Sequence, residues 1–192
     1  MGLKVPTVEY RKKVVARYLT GGEVRRMYEK PSDVPATCPY CYSKLKSVPD
    51  LNYVLRKKRR DLYYTEDGFC LVSEKFKSFC ECGQYSNLTF LKLEHCDYYF
   101  FEPNNIFKTF MFWVPFNKWG CWCNACKNYS EITGGVLKDE SFALESDDFI
   151  SRTDNFRGSY EYKRPMIIVG FETERKMKKF GLKGLCFENV YG

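Results

Sequence analysis

Met166-Ile-Ile-Val-Gly-Phe-Glu-Thr-Glu-Arg-Lys-Met-Lys-Lys-Phe-Gly-Leu-Lys-Gly-Leu-Cys-Phe187 changes its periodicity twice within one short stretch. Met166 to Val169 is a continuous apolar run rich in β-branched residues, which predicts a strand. Charge then dominates Glu172 to Phe180, leaving Met177 and Phe180 three positions apart on one side, so a helix that buries those two is predicted. Gly181 suits a helix C-cap, and Gly184-Leu-Cys-Phe187 returns as a strand.

The same strand, short helix, strand order stands upstream. Leu71-Val72 ends a strand, Ser73 can cap a helix that runs on from Lys75 to Phe79, and Leu88-Thr-Phe-Leu-Lys-Leu93 alternates as a strand. Phe76 and Phe79 should point into a core. Ser73 to Phe79 aligns with Thr173 to Phe180 after one inserted residue, either as a weak internal repeat or as two amphipathic helices of ordinary composition. Nearer the start, Thr7 to Leu19 fits strand alternation and also a helical face; we favour the strand, ended by Gly21-Gly22. The expected fold class is α+β, with mixed or antiparallel sheets, short helices and an embedded pair of zinc-ribbon-like knuckles.

Those knuckles are Cys38-Pro-Tyr-Cys41 and Cys123-Asn-Ala-Cys126, within about residues 36–45 and 119–130. Two Cys-x-x-Cys pairs supply four thiolates, the complement of a closed tetrahedral zinc site; the alternative is buried free thiols. Pro39 and Asn124 favour tight turns whose backbone N–H groups can point at sulfur. Because the pairs lie far apart, a shared metal would staple distant parts of one chain together rather than form an autonomous finger. Cys121, only two residues from Cys123, could compete as a ligand. Cys80, Cys82 and His95 could form a second site, whereas Cys70, Cys121 and Cys186 otherwise read as small packed hydrophobes.

The 192 residues are 44% hydrophobic and 18% aromatic, enough for one compact, ring-rich domain spanning residues 1–192. No long apolar run or secretory leader pattern occurs, so no membrane association and a cytoplasmic location are expected, with the ten cysteines as thiols or metal ligands rather than disulfides. Tyr98 to Phe101, Phe107, Phe110, Phe112, Trp113, Phe116, Trp119 and Trp122 read as core and knuckle packing; stacking on unpaired bases is the alternative. Net charge is +7, and Arg56-Lys-Lys-Arg-Arg60 could grip phosphates or an acidic protein surface, or be a solvated turn.

Catalytic patterns are missing. The single histidine, His95, adjoins Cys96 rather than meeting a thiol across the fold; Ser43-x-x-Lys46 lacks its companion motifs, and Gly134-Gly135 is too short to cradle a phosphate. No catalytic residue is assigned, and an enzyme is not expected.

With both cysteine pairs, the approach Trp119-Gly-Cys-Trp122 and a C-terminal segment, the chain resembles the double-CXXCG motif proteins, a bacterial group among the immunity proteins encoded beside polymorphic toxins. In that segment Phe149 to Phe156 looks like the family's acidic loop, Ile167-Ile-Val169 its strand, Thr173-Glu-Arg175 its helix and Phe180 to Phe187 its Gly-Leu-x-Gly strand. Tyr42 and Lys127 stand where the family has a glycine after each pair. The resemblance implies a cytoplasmic inhibitor that binds a cognate protein toxin and occludes its active site, with Cys38, Cys41, Cys123 and Cys126 as structural zinc ligands. It assigns no partner-binding residue. At +7, such an inhibitor should meet an acidic patch on its toxin. A basic zinc-ribbon protein that binds nucleic acid is the other expectation.

Overall fold

The computed structural model describes residues 13–56, 59–110 and 118–192. In chain order the elements are β1 (Val14–Thr20), β2 (Gly22–Val24), β3 (Leu62–Thr65), β4 (Cys70–Ser73), α1 (Glu74–Cys82), β5 (Leu88–Lys92), β6 (Tyr98–Pro103) and β7 (Ile106–Phe107). There follow β8 (Lys118–Trp119), β9 (Trp122–Cys123), β10 (Asn128–Tyr129), β11 (Glu131–Thr133), β12 (Ile150–Ser159), β13 (Arg164–Val169), α2 (Phe171–Phe180) and β14 (Cys186–Tyr191). The protein is α+β, mostly sheet with short helices, as its periodicities predict.

Two larger sheets carry the fold. One runs β14-β1-β13-β12-β11-β8, with β7 added beside β12; the other runs β2-β3-β4-β6-β5. Pairing is antiparallel except for β2 with β3 and β7 with β12. In the smaller sheet, β4 and β5 both lie antiparallel to β6, which stands between them, and α1 connects them. In the larger sheet, β13 and β14 likewise flank β1, with α2 as the connection. Each is a split β-α-β unit. The intervening strand follows its unit in one case and comes from the N-terminal part of the chain in the other.

The internal repeat is therefore topological, and its alignment differs from the one expected from side chains. Ser73 caps α1, its hydroxyl accepting from Phe76 N at 3.2 Å, whereas α2 is capped at Gly170, not at Thr173. With the caps superposed, the third and seventh helical residues are buried in both: Phe76 and Cys80, Thr173 and Met177. Gly170 is small because the Asp147 carbonyl passes 1.9 Å from where a Cβ would stand. Gly181 (φ 76°) ends α2 in a Schellman arrangement, with Leu182 N donating to Met177 O and Gly181 N to Lys178 O.

Strand alternation distributes the core. Leu62, Tyr64, Val72, Tyr99, Phe101, Ile167 and Val169 meet Phe76, Phe79 and Met177 in one cluster shared by both sheets and both helices. Tyr63, Leu71, Tyr98 and Phe100 face the opposite side of the smaller sheet, and Ile168 that of the larger, each into its own cluster. Both faces of the central strands are covered, which explains the continuous apolar run at Met166 to Val169.

Several expectations change in detail. Phe180 is 40% exposed, because the helix ends there and its ring only edges onto Phe79 at 5.4 Å. Thr173 is buried instead, its hydroxyl donating to Asp148 and Phe149 O. Phe149 to Phe156 is not a loop but mostly part of β12, whose register shifts between Arg152 and Phe156 so that Asp154 can accept from Thr109. Cys70 is buried, but Cys121 and Cys186 are exposed, so neither acts as a packed hydrophobe. Tyr98 to Phe101 and Phe107 are core; Trp122 is half exposed, and Phe112, Trp113 and Phe116 lie outside the described residues. So does Thr7 to Lys12, whereas β1 bears out the strand beyond it.

Candidate metal centre

The second cysteine pair leaves the edge of the larger sheet between β8 and β11 as the two-stranded hairpin β9–β10. The first lies on the long connection between β2 and β3 of the smaller sheet. Their meeting brings a connection of the smaller sheet against the edge of the larger. A turn of 3-10 helix, Tyr160–Tyr162, joins them from a third direction: Lys44 N donates to Tyr160 O, and Tyr160 N donates to Ser130 O.

Each knuckle is built alike. Tyr42 N donates to Cys38 O at 2.8 Å, and Lys127 N donates to Cys123 O at 2.9 Å. Closing so tight a turn sends the next residue into the left-handed region, at φ 57° for Tyr42 and 55° for Lys127. Cys38 N to Ser43 O and Leu45 N to Ala36 O then zip the first knuckle over the expected segment.

Cys38, Cys41, Cys123 and Cys126 converge, with all four sulfurs within 4.8 Å of one another. Cys38 Sγ is 3.8 Å from Cys123 Sγ, and Cys41 Sγ is 3.6 Å from Cys126 Sγ. A sulfur tetrahedron around one zinc at about 2.3 Å has edges of about 3.8 Å. Disulfides would need about 2.05 Å. The donor set and its spacing thus suit a tetrathiolate metal centre, and the four residues could hold a metal ion.

The electrostatics agree with that use. Backbone N–H groups of Cys41 and Tyr40 hold the Cys38 thiol below its ordinary value, and those of Cys126 and Ala125, against the opposing effect of burial, bring Cys123 down to about 6. Cys126 goes the other way, pushed up to about 12 by burial and by the neighbouring sulfurs. Four thiolates in one place repel each other, so a full set of negative charges requires a cation among them.

Two buried lysines flank the knuckles, and nothing in their sequence context marked them. Lys163 Nζ donates to Tyr129 O beside Cys41 and Cys126, and Ser43 Oγ donates to the same carbonyl at 3.5 Å. Lys44 Nζ donates to Asp67 O and lies 4.0 Å from the Phe69 ring centre; burial pushes its pKa down to about 8 against the pull of Asp67. The sequence shows each only as one more surface-type cation.

The other candidates do not assemble. Cys80 is buried in the shared core while Cys82 and His95 are exposed, and among the described residues only the four knuckle cysteines form a group able to hold a metal. Cys121 stays outside that group, so it does not displace Cys123. Ser43 is buried and spent on Tyr129 O, whereas Lys46 is exposed. No helix among the described residues is long and apolar enough to cross a membrane. No protein-family model and no curated protein matches the chain.

Proposed function

We propose that this protein is a cytoplasmic immunity protein, which binds a cognate bacterial toxin and neutralises it by covering the toxin's active site. The observation that carries this reading is the left-handed backbone of Tyr42 and Lys127. These are the two positions at which the double-CXXCG group has glycine, and the backbone keeps the conformation that glycine adopts most easily. The departures in sequence thus still leave the backbone in a conformation that glycine would favour at both positions.

In this reading the metal is zinc and its role is structural: Cys38, Cys41, Cys123 and Cys126 hold it, and it supplies cross-links instead of chemistry. Bound there, it would fix the relation of the two sheets and preorganise the surface around the knuckles, which lowers the entropy cost of binding. Two strained knuckles on separate segments suit a surface held for recognition.

Co-expression with the product of the adjacent gene tests the proposal. A stable complex in which the toxin's activity is blocked is the expected result. Tight binding of nucleic acid that falls steeply between about 50 and 200 mM salt, without any toxin, would overturn it in favour of a basic nucleic-acid-binding protein.

A further inference from the structure

An open cleft of about 700 Å³ lies on the smaller sheet's side of the molecule, and three arginines line it: Arg25, Arg26 and Arg56. They come from separate places, the first two just after β2 and the third at the start of the basic run. Val24, Val54 and Tyr53 supply apolar wall between them. The Arg26 guanidinium lies 5.7 Å from the Tyr162 ring centre and 3.9 Å from Glu161, too far for a hydrogen bond. Glu161 is still its ion-pair partner, and its Nε and Nη2 are buried without a hydrogen-bond acceptor, so Arg25 and Arg56 are the guanidinium groups the cleft exposes.

Tyr162 leads from the cleft to the metal centre. It belongs to the turn that braces both knuckles, and there Tyr160, Tyr40, Tyr42 and Trp122 are each 47% exposed or more. Exposed rings on both knuckles and on the turn between them give that region an apolar and aromatic surface. Tyr160, at φ 48°, holds a left-handed backbone as Tyr42 does. Lys127 is the one exposed charge within segments 36–45 and 119–130, Lys46 follows the first directly, and neither segment contains an acidic residue. Exposed Tyr and Trp beside Arg is the composition of an interface centre.

We infer that the arginine cleft and the knuckle aromatics form one docking surface, and that its occupant is an acidic segment of a protein partner. This deepens the reading of the protein as an inhibitor by naming the surface it would use. Carboxylates match the planar guanidinium fork and pair with it one by one. A nucleic-acid strand fits less well, because Glu23 and Glu66 stand in the same cleft and would repel a continuous run of phosphates. The exposed glutamates can instead face donors on a folded partner.

Fluorescence anisotropy at low salt tests the inference with three probes: a labelled peptide alternating Glu and Gly, its Gln counterpart, and a single-stranded thymidine oligonucleotide of equal length. The Glu peptide should bind best, and Arg25→Ala with Arg56→Ala should weaken it about tenfold. Lys179→Ala, on the exposed face of α2, should leave it unchanged. Arg56 has an exposed side chain, so Arg56→Ala alone serves if the double variant fails to fold. Equal binding of the Glu and Gln peptides, no effect of either arginine substitution, or tighter oligonucleotide binding at the same arginines would each overturn the inference. The adjacent gene product separates this result from the functional proposal. A complex that forms but ignores the arginine substitutions sinks the surface alone, while arginine-dependent peptide binding without any such complex sinks the immunity role alone.

Discussion

The thiol of Cys38 lies 3.8 Å from that of Cys123, although 85 positions separate them in the chain. The same offset relates Cys41 to Cys126, so the two knuckles face each other with corresponding residues paired. A metal held by all four would therefore join the β2–β3 connection of the smaller sheet to the edge of the larger. Closing so long a loop in the unfolded chain is entropically costly, and a metal bound only by the folded state offsets that cost.

Freshly prepared reduced protein should contain about one zinc per chain, measured by elemental analysis. Cys123→Ser should lower the Tm by about 10 °C or more, and a strong chelator should do the same to the native protein. Cys186→Ser should have little effect, since that thiol is exposed and outside the cluster. Equal losses from both substitutions would argue against the centre.

Tyr42→Gly and Lys127→Gly should each raise stability by about 0.5–1 kcal/mol, read from the urea midpoint. Both residues hold a positive φ that a Cβ disfavours. Alanine at the same positions keeps the Cβ and should bring no such gain. If alanine and glycine behave alike, backbone strain is not what the substitution relieves.

Stability should rise with pH between about 8 and 10. Lys44 titrates near 8 in the folded protein, below its ordinary 10.5, so in this window the unfolded chain binds more protons than the native one. Below pH 8 both states carry the charge and the desolvation cost is fully present. Lys44→Met should flatten the slope, seen in urea midpoints taken across the window. An unchanged slope would place its source elsewhere.

Phe76→Ala should cost about 3–5 kcal/mol, because the ring is fully buried between the sheets and packs edge-on to Phe101 at 5.2 Å. Phe180→Ala should cost clearly less, as its ring is 40% exposed. Denaturant unfolding of the two variants side by side gives the comparison. Similar losses would mean that α2 buries its last residue in solution.

The sequence by itself determined the local elements. The apolar run at Met166 to Val169, the cap at Ser73, the left-handed Gly181 and the four paired cysteines all act over a few residues, and short-range steric and hydrogen-bonding rules make them readable. Burial of Thr173 in place of Phe180 depended on where Asp148 and the Phe149 carbonyl came to lie, and that was decided by the segment leading into β12. Tertiary structure alone decided that β1 would complete the second split β-α-β unit, that Lys44 and Lys163 would be buried beside the knuckles, and that Arg26 would meet Tyr162. These are contacts between segments far apart in the chain, selected by the packing of whole sheets against one another, and no local pattern of residues encodes them.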